Sequence, residues 1–167
     1  MKNILTLLAL AVATAGVGAA QAKIGVVNVQ RAIAGTAEIK KAIVDITTKY
    51  KPRQEEIAKL QADLQAIQQQ IQSGKLSQSA EQQLRSEGQF KERQLQRKDQ
   101  DFRDDFDRER QDIINSAAQR MQQIVQKLAD ERGLDIVVDS ANTLFFKPGL
   151  ELTDVAIADF DKAYPVK

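Results

Sequence analysis

The chain contains no cysteine and no histidine among its 167 residues. Without cysteine there are no disulfides, so a fold outside the cytoplasm must be held by packing alone. Without histidine the commonest general base and the commonest metal ligand are both missing. An excess of one charge is lacking too, since 24 Lys and Arg stand against 23 Asp and Glu. Loss of Lys2 with the leader described below leaves the mature chain formally neutral. Phosphate affinity needs a basic excess, so no nucleic-acid partner is expected, and net charge gives membrane contact no support.

Long hydrophobic runs are scarce. The one candidate, Ile4 to Val17, is rich in Ala and Gly, carries Thr6 and Thr14, and is short for the roughly 20 residues of a membrane span. Lys2 precedes it and the small-x-small triplet Ala20-Gln21-Ala22 follows, the layout of a secretory leader. Residues 1–22 are therefore expected to be a signal peptide cleaved after Ala22, with the mature chain acting outside the cytoplasm. A retained anchor is the weaker reading.

What is present is a long helical pattern. Ile39, Ile43, Ile46, Tyr50, Ile57, Leu60, Leu64, Ile67 and Ile71 occupy the a and d positions of one heptad register, interrupted only by Arg53 after Pro52. Farther on, Leu84, Leu95, Phe106, Ala117 and Leu128 recur every eleven residues, as do Phe102, Ile113 and Ile124. At about 100° per residue the two series nearly coincide on one helix face. A seven-residue repeat winds left-handed and an eleven-residue repeat straight or slightly right-handed, so the two helices match loosely and can bend. Gly74 lies in the one stretch with turn chemistry, and Ser77 or Ser79 can cap the returning helix, with Glu81 in its first turn. Residues 36–132 thus read as an α-helical hairpin arm with its turn near 73–77.

Strand signals flank the arm. Lys23–Val29 and Leu134–Asp139 are short and β-branched, Thr143–Lys147 reads as a third strand, and Thr153 begins a capped terminal helix. Thr36 is a plausible cap before the arm and Gly133 a helix-ending glycine after it. The fold class is α+β: a long hairpin inserted in a small β-sheet head made of residues 23–35 and 133–167. A head of about fifty residues without disulfide or metal is marginal alone, which points to oligomerisation through it. Val26, Val27, Ile136, Val137, Val138 and Phe145 are the expected core of that assembly.

No catalytic, cofactor or metal constellation emerges. The acids Asp99, Asp101, Asp104, Asp105, Asp107, Glu109 and Asp112 alternate with Arg97, Lys98, Arg103, Arg108 and Arg110, the pattern of a solvated, ion-paired face. Gly74-Lys75-Leu76-Ser77 lacks the upstream glycine, the adjacent Lys-Ser/Thr and the preceding strand of a phosphate loop, so no nucleotide is expected. Asp135 and Asp139 flank a strand as ordinary surface acids. Pro52 removes one helical hydrogen bond and is the expected hinge of the arm. Phe90 sits about 120° away from the buried stripe, near the free end. Together with Leu76 and the amide run Gln68, Gln69 and Gln70, it is a candidate contact for whatever the arm touches.

The mature N-terminal motif Lys23-Ile24-Gly25-Val26-Val27-Asn28-Val29, the charged and Gln-rich hairpin, and Leu134-Asp135-Ile136-Val137-Val138-Asp139 together resemble the Skp/OmpH family of periplasmic chaperones. The likeness spans the whole mature chain. It implies a periplasmic homotrimer with a β-sheet head and three helical arms around a cavity, holding unfolded outer-membrane β-barrel proteins without ATP. Well-studied members are strongly basic and this chain is neutral, so no lipid-binding residues carry over. The other reading is a secreted structural or adaptor coiled coil that binds one folded envelope partner. An enzyme is not expected.

Overall fold

The structure, a computed structural model, describes residues 21–166; of the expected leader only Gln21 and Ala22 fall among the described residues. Strand β1 (Ile24–Val27) ends sooner than the sequence pattern suggests. Asn28 breaks it by accepting a hydrogen bond from the Arg31 N–H at 2.8 Å and so capping a short helix, α1 (Val29–Gly35), that was not anticipated. Val29 is thus helical, not the end of a strand. Thr36 then caps α2 (Ala37–Gln72), its hydroxyl accepting from the Ile39 N–H at 3.3 Å while donating to the Ile33 carbonyl at 2.9 Å.

Helix α2 runs unbroken across Pro52. A tight connection follows, and Ser77 caps α3 (Gln78–Arg132) with Glu81 in the first turn. Gly133 ends α3 at φ 59°, ψ 44°. That left-handed conformation is open to glycine at no steric cost, and it lets the Leu134 N–H reach back to the Ala129 carbonyl at 2.9 Å.

With 55 residues against 36, α3 outruns α2, and its extra turns travel past the head before releasing the chain. It is therefore delivered beside the start of β1, and β2 (Ile136–Asp139) pairs with β1 in parallel, Ile24 opposite Ile136 and Val27 opposite Asp139. Parallel neighbours need a long crossover, which the whole arm supplies. Gly25 sits where two leucines converge: a Cβ there would lie 2.8 Å from both Leu134 and Leu152 side chains.

The expected third strand does not form. Residues 140–142 make a single 3-10 turn, capped by Asp139 accepting from the Ala141 N–H at 3.0 Å, and residues 143–147 carry no strand pairing. The free side of β1 is met instead by one parallel bridge from Val26 to Glu151. A second 3-10 turn (Pro148–Leu150) leads to α4 (Thr153–Ala163). Thr153 does not cap that helix. Leu152 occupies the cap position without a side-chain bond, while the buried Thr153 hydroxyl accepts from the Asn28 N–H at 2.9 Å and so ties α4 to the end of β1.

The core lies where α1, α3 and α4 meet. Phe160, Ala156 and Leu152 pack with Ala32, Val27 and Ile39 against Ala117, Met121, Ile124 and Leu128 of α3. The second helix of the arm is thus also a wall of the head. Arg120 locks this junction: its guanidinium grips the Glu38 carboxylate with two N–H groups and lies over the rings of Phe160 and Tyr164, 5.6 and 5.1 Å from their centroids.

Candidate functional site

The apolar seam of the arm is narrow: beyond the root, the buried residues of α2 are Tyr50, Ile57, Leu60 and Ile67. Charged side chains complete the seam. Lys49 reaches Glu109 at 2.7 Å, Arg53 reaches Asp105 at 2.8 Å, Lys98 reaches Glu56 at 2.9 Å and Lys91 reaches Asp63 at 2.9 Å. All four bridge α2 and α3. Asp105 and Glu109, read from the sequence as part of a solvated face, in fact cross to the partner helix, whereas Asp99 pairs along its own helix with Arg103.

Beside Pro52 the seam widens into an aromatic node. Tyr50 stands edge-on to Phe102 and Phe106, and those two rings stack at 5.6 Å. The Tyr50 hydroxyl donates to Glu109 at 3.0 Å. Hydrogen bonds from Lys49 and then from Tyr50 hold Glu109 below the ordinary carboxylate range. Loss of water around the Tyr50 hydroxyl, reinforced by Glu109, pushes that hydroxyl up. The Lys91 ammonium likewise holds Asp63 down.

The expected contact residues lie on the distal half of the arm. Gln68, Gln69 and Gln70 are exposed, Leu76 is half-buried in the connection, and Phe90 is 61% exposed. They do not share one pocket. Phe90 borders a shallow depression of about 310 Å³ with Arg93, Arg97 and Lys98, apart from the amide run.

An apolar depression among the described residues was not anticipated. At the arm's root, Ile33, Ile39, Ile43, Ile46, Phe106 and Ile113 line a groove of about 560 Å³, with Gln30 and Arg110 at its edge. Ile43 keeps the heptad register yet is 51% exposed, on the wall of this groove. The adjacent pair Ile113-Ile114 was the available signal, since two consecutive helical residues cannot both face one partner helix.

In the head, the six residues expected to make one core separate. Val26 and Val27 are fully buried within the chain, Val137 and Val138 are half-buried, and Ile136 is 49% exposed. Phe145 is 81% exposed and neighbouring Leu144 wholly so. With no strand formed at residues 143–147, these side chains have nothing in the chain to cover them. Among the described residues no cluster of His, Cys, Asp and Glu could hold a metal ion, and no helix is long and apolar enough to cross a membrane.

Comparison with known proteins agrees with this architecture. The chaperone protein Skp of Yersinia enterocolitica is 28% identical over 156 residues, covering 92% of this chain and 95% of that one. The fold is shared with an OmpH-like protein of Caulobacter crescentus, at a TM-score of 0.71 and 17% identity over 90% of each chain. The family model for OmpH-like outer membrane proteins matches residues 23–160. The chain therefore belongs to the OmpH-like family.

Proposed function

We propose that this protein is an exported, periplasmic holdase: a homotrimer whose arms surround unfolded outer-membrane β-barrel chains and keep them from aggregating, without nucleotide. The observation that carries the reading is the arm itself. Helices of 36 and 55 residues form an arm on a head with a two-stranded sheet, and beyond the apolar groove at the arm's root their exposed surface is polar with isolated apolar side chains such as Phe90. At about 1.5 Å per residue α2 alone is roughly 54 Å long, enough to flank a collapsed chain rather than grip a peptide. Scattered weak contacts suit a client that must remain mobile and leave without an energy source.

The head supports assembly of several copies. Ile136, Leu144 and Phe145 present apolar side chains that one chain does not cover, beside a sheet of two strands. Unpaired strand-like segments and exposed aromatics of this kind are normally covered by a partner. Similarity to the chaperone protein Skp supports a chaperone role.

Dilution of a urea-denatured outer-membrane β-barrel protein into buffer containing the mature chain tests the reading. Light scattering should be suppressed at a stoichiometry near one trimer per client. Unchanged scattering, together with tight one-to-one binding of a single folded envelope protein, would establish an adaptor instead.

A further inference from the structure

The start of the mature chain is anchored at one point. The Lys23 backbone N–H donates to Asp135 Oδ2 at 2.7 Å, and the Lys23 carbonyl accepts from the Asp135 and Ile136 N–H groups at 2.8 and 3.4 Å. Two residues 112 positions apart are therefore clasped in both directions, at the point where β1 and β2 begin to pair. The Lys23 side chain lies at the same place: its ammonium is 3.9 Å from where a Cβ on Gly133 would stand, at the carbonyl end of α3. Helix C-termini favour positive charge.

We propose that Asp135 is the receptor for the α-ammonium that leader removal creates on Lys23, so that processing itself completes the clasp between β1 and β2. The inference rests on cleavage after Ala22. Hydrolysis of the Ala22–Lys23 peptide bond by a leader peptidase adds one water, leaving a carboxylate on Ala22 and an ammonium on Lys23. A neutral amide donor facing Asp135 becomes a charged one, and charge-assisted bonds are shorter and stronger. The charged groups around this end are Asp135, the Lys23 side chain and Arg132 in the last turn of α3. Asp139 is at the far end of β2 opposite Val27, and Glu151, opposite Val26, is taken by Arg31 at 2.6 Å. Asp135 alone of these acids contacts the new terminus.

The chain gives this device a clear readout. With no histidine and no cysteine, the terminal amine is the one kind of group whose ordinary pKa, about 7.7–8.0, falls between the carboxylates below and the tyrosines and lysines above. A carboxylate partner raises that value in the folded state. Its stabilisation is thus complete below the ordinary value and lost as pH rises through the raised one.

The test compares chain 23–167, released from an N-terminal fusion so that Lys23 is first, with the same chain retaining Gln21 and Ala22. Thermal unfolding is followed from pH 6.5 to 9.5. The Lys23 form should melt about 1–3 °C higher at the acid end, as befits an exposed ion pair, and the advantage should disappear at the alkaline end. Asp135→Asn should erase the difference between the forms, even if it lowers both. Equal melting at every pH, or a difference that survives Asp135→Asn, overturns the proposal. Intact mass of the exported protein decides the cleavage position separately: a first residue other than Lys23 overturns the coupling to processing even where the melting difference is found.

Discussion

Tyr50 of α2 meets Phe106 of α3 at a right angle, with ring centroids 5.4 Å apart and 89° between the planes. This contact sits two residues before Pro52, where α2 is missing a backbone hydrogen bond. Thr47 and Thr48 loosen the same stretch further by turning their hydroxyls back onto the Ile43 and Val44 carbonyls at 2.7 and 2.8 Å. The node thus holds the helices together where α2 is weakest. Tyr50→Ala should lower the thermal midpoint of the arm and raise amide exchange across residues 43–57. Tyr50→Phe, which keeps the rings and loses only the bond to Glu109, should do much less. Equal effects would place the strength of the node in the hydrogen bond.

The seam should be sensitive to acid. Glu109 and Asp63 are both held below their ordinary values of 4.5 and 3.8 by partners across the arm. A lowered folded value means stability is present above the ordinary pKa and lost as pH falls through the lowered one. Circular dichroism melts should therefore be level from neutral pH down to about pH 5 and decline below about pH 4. Lys49→Met should reduce that decline, since Glu109 loses the partner that lowers it most.

Pro52 is proposed as the hinge of the arm. Pro52→Ala restores a backbone donor inside α2 and should stiffen it. Spin labels at Gln72 in different subunits should then show a narrower distance distribution. An unchanged distribution would move the hinge elsewhere.

Assembly and folding should be separable in the head. Phe160 is wholly buried within one chain, and Phe160→Ala should cost about 3–5 kcal/mol of stability in denaturant unfolding. Phe145 is exposed in the single chain, so Phe145→Asp should leave each chain's helicity intact while dissociating the assembly. The half-buried Val137, changed to Asp, should disturb both. A Phe145→Asp protein that sediments as a trimer would show that other surfaces make the interface.

Holding should depend on dispersed contacts more than on net charge. Phe90→Ser removes an exposed ring far from the head and should weaken client binding without changing the oligomer. Raising salt from low to physiological, where the Debye length falls to about 8 Å, should change affinity only a few-fold. A loss of several orders of magnitude would assign capture to local basic patches such as Arg93 and Arg97.

The arm was readable because its rules are local. Heptad and eleven-residue spacing, Ser77, Gly133 and the polar break at Gly74 each act within a few residues, and the helices end where those signals stand. Membership of the family was also legible, in the two strand motifs on either side of the hairpin. The head resisted, because its decisions are made between residues more than a hundred positions apart. Asn28 caps a helix rather than extending β1, and the Thr153 hydroxyl accepts from the Asn28 N–H rather than from its own helix. Whether Thr143–Lys147 forms a strand depends on a neighbour, since a β ladder needs a second backbone and β1 already faces Glu151. The cross-arm pairing of Asp105 and Glu109 likewise depends on how two helices are phased. Sequence alone determined the elements that close their own hydrogen bonds; tertiary structure decided those whose partners must be brought from elsewhere in the chain.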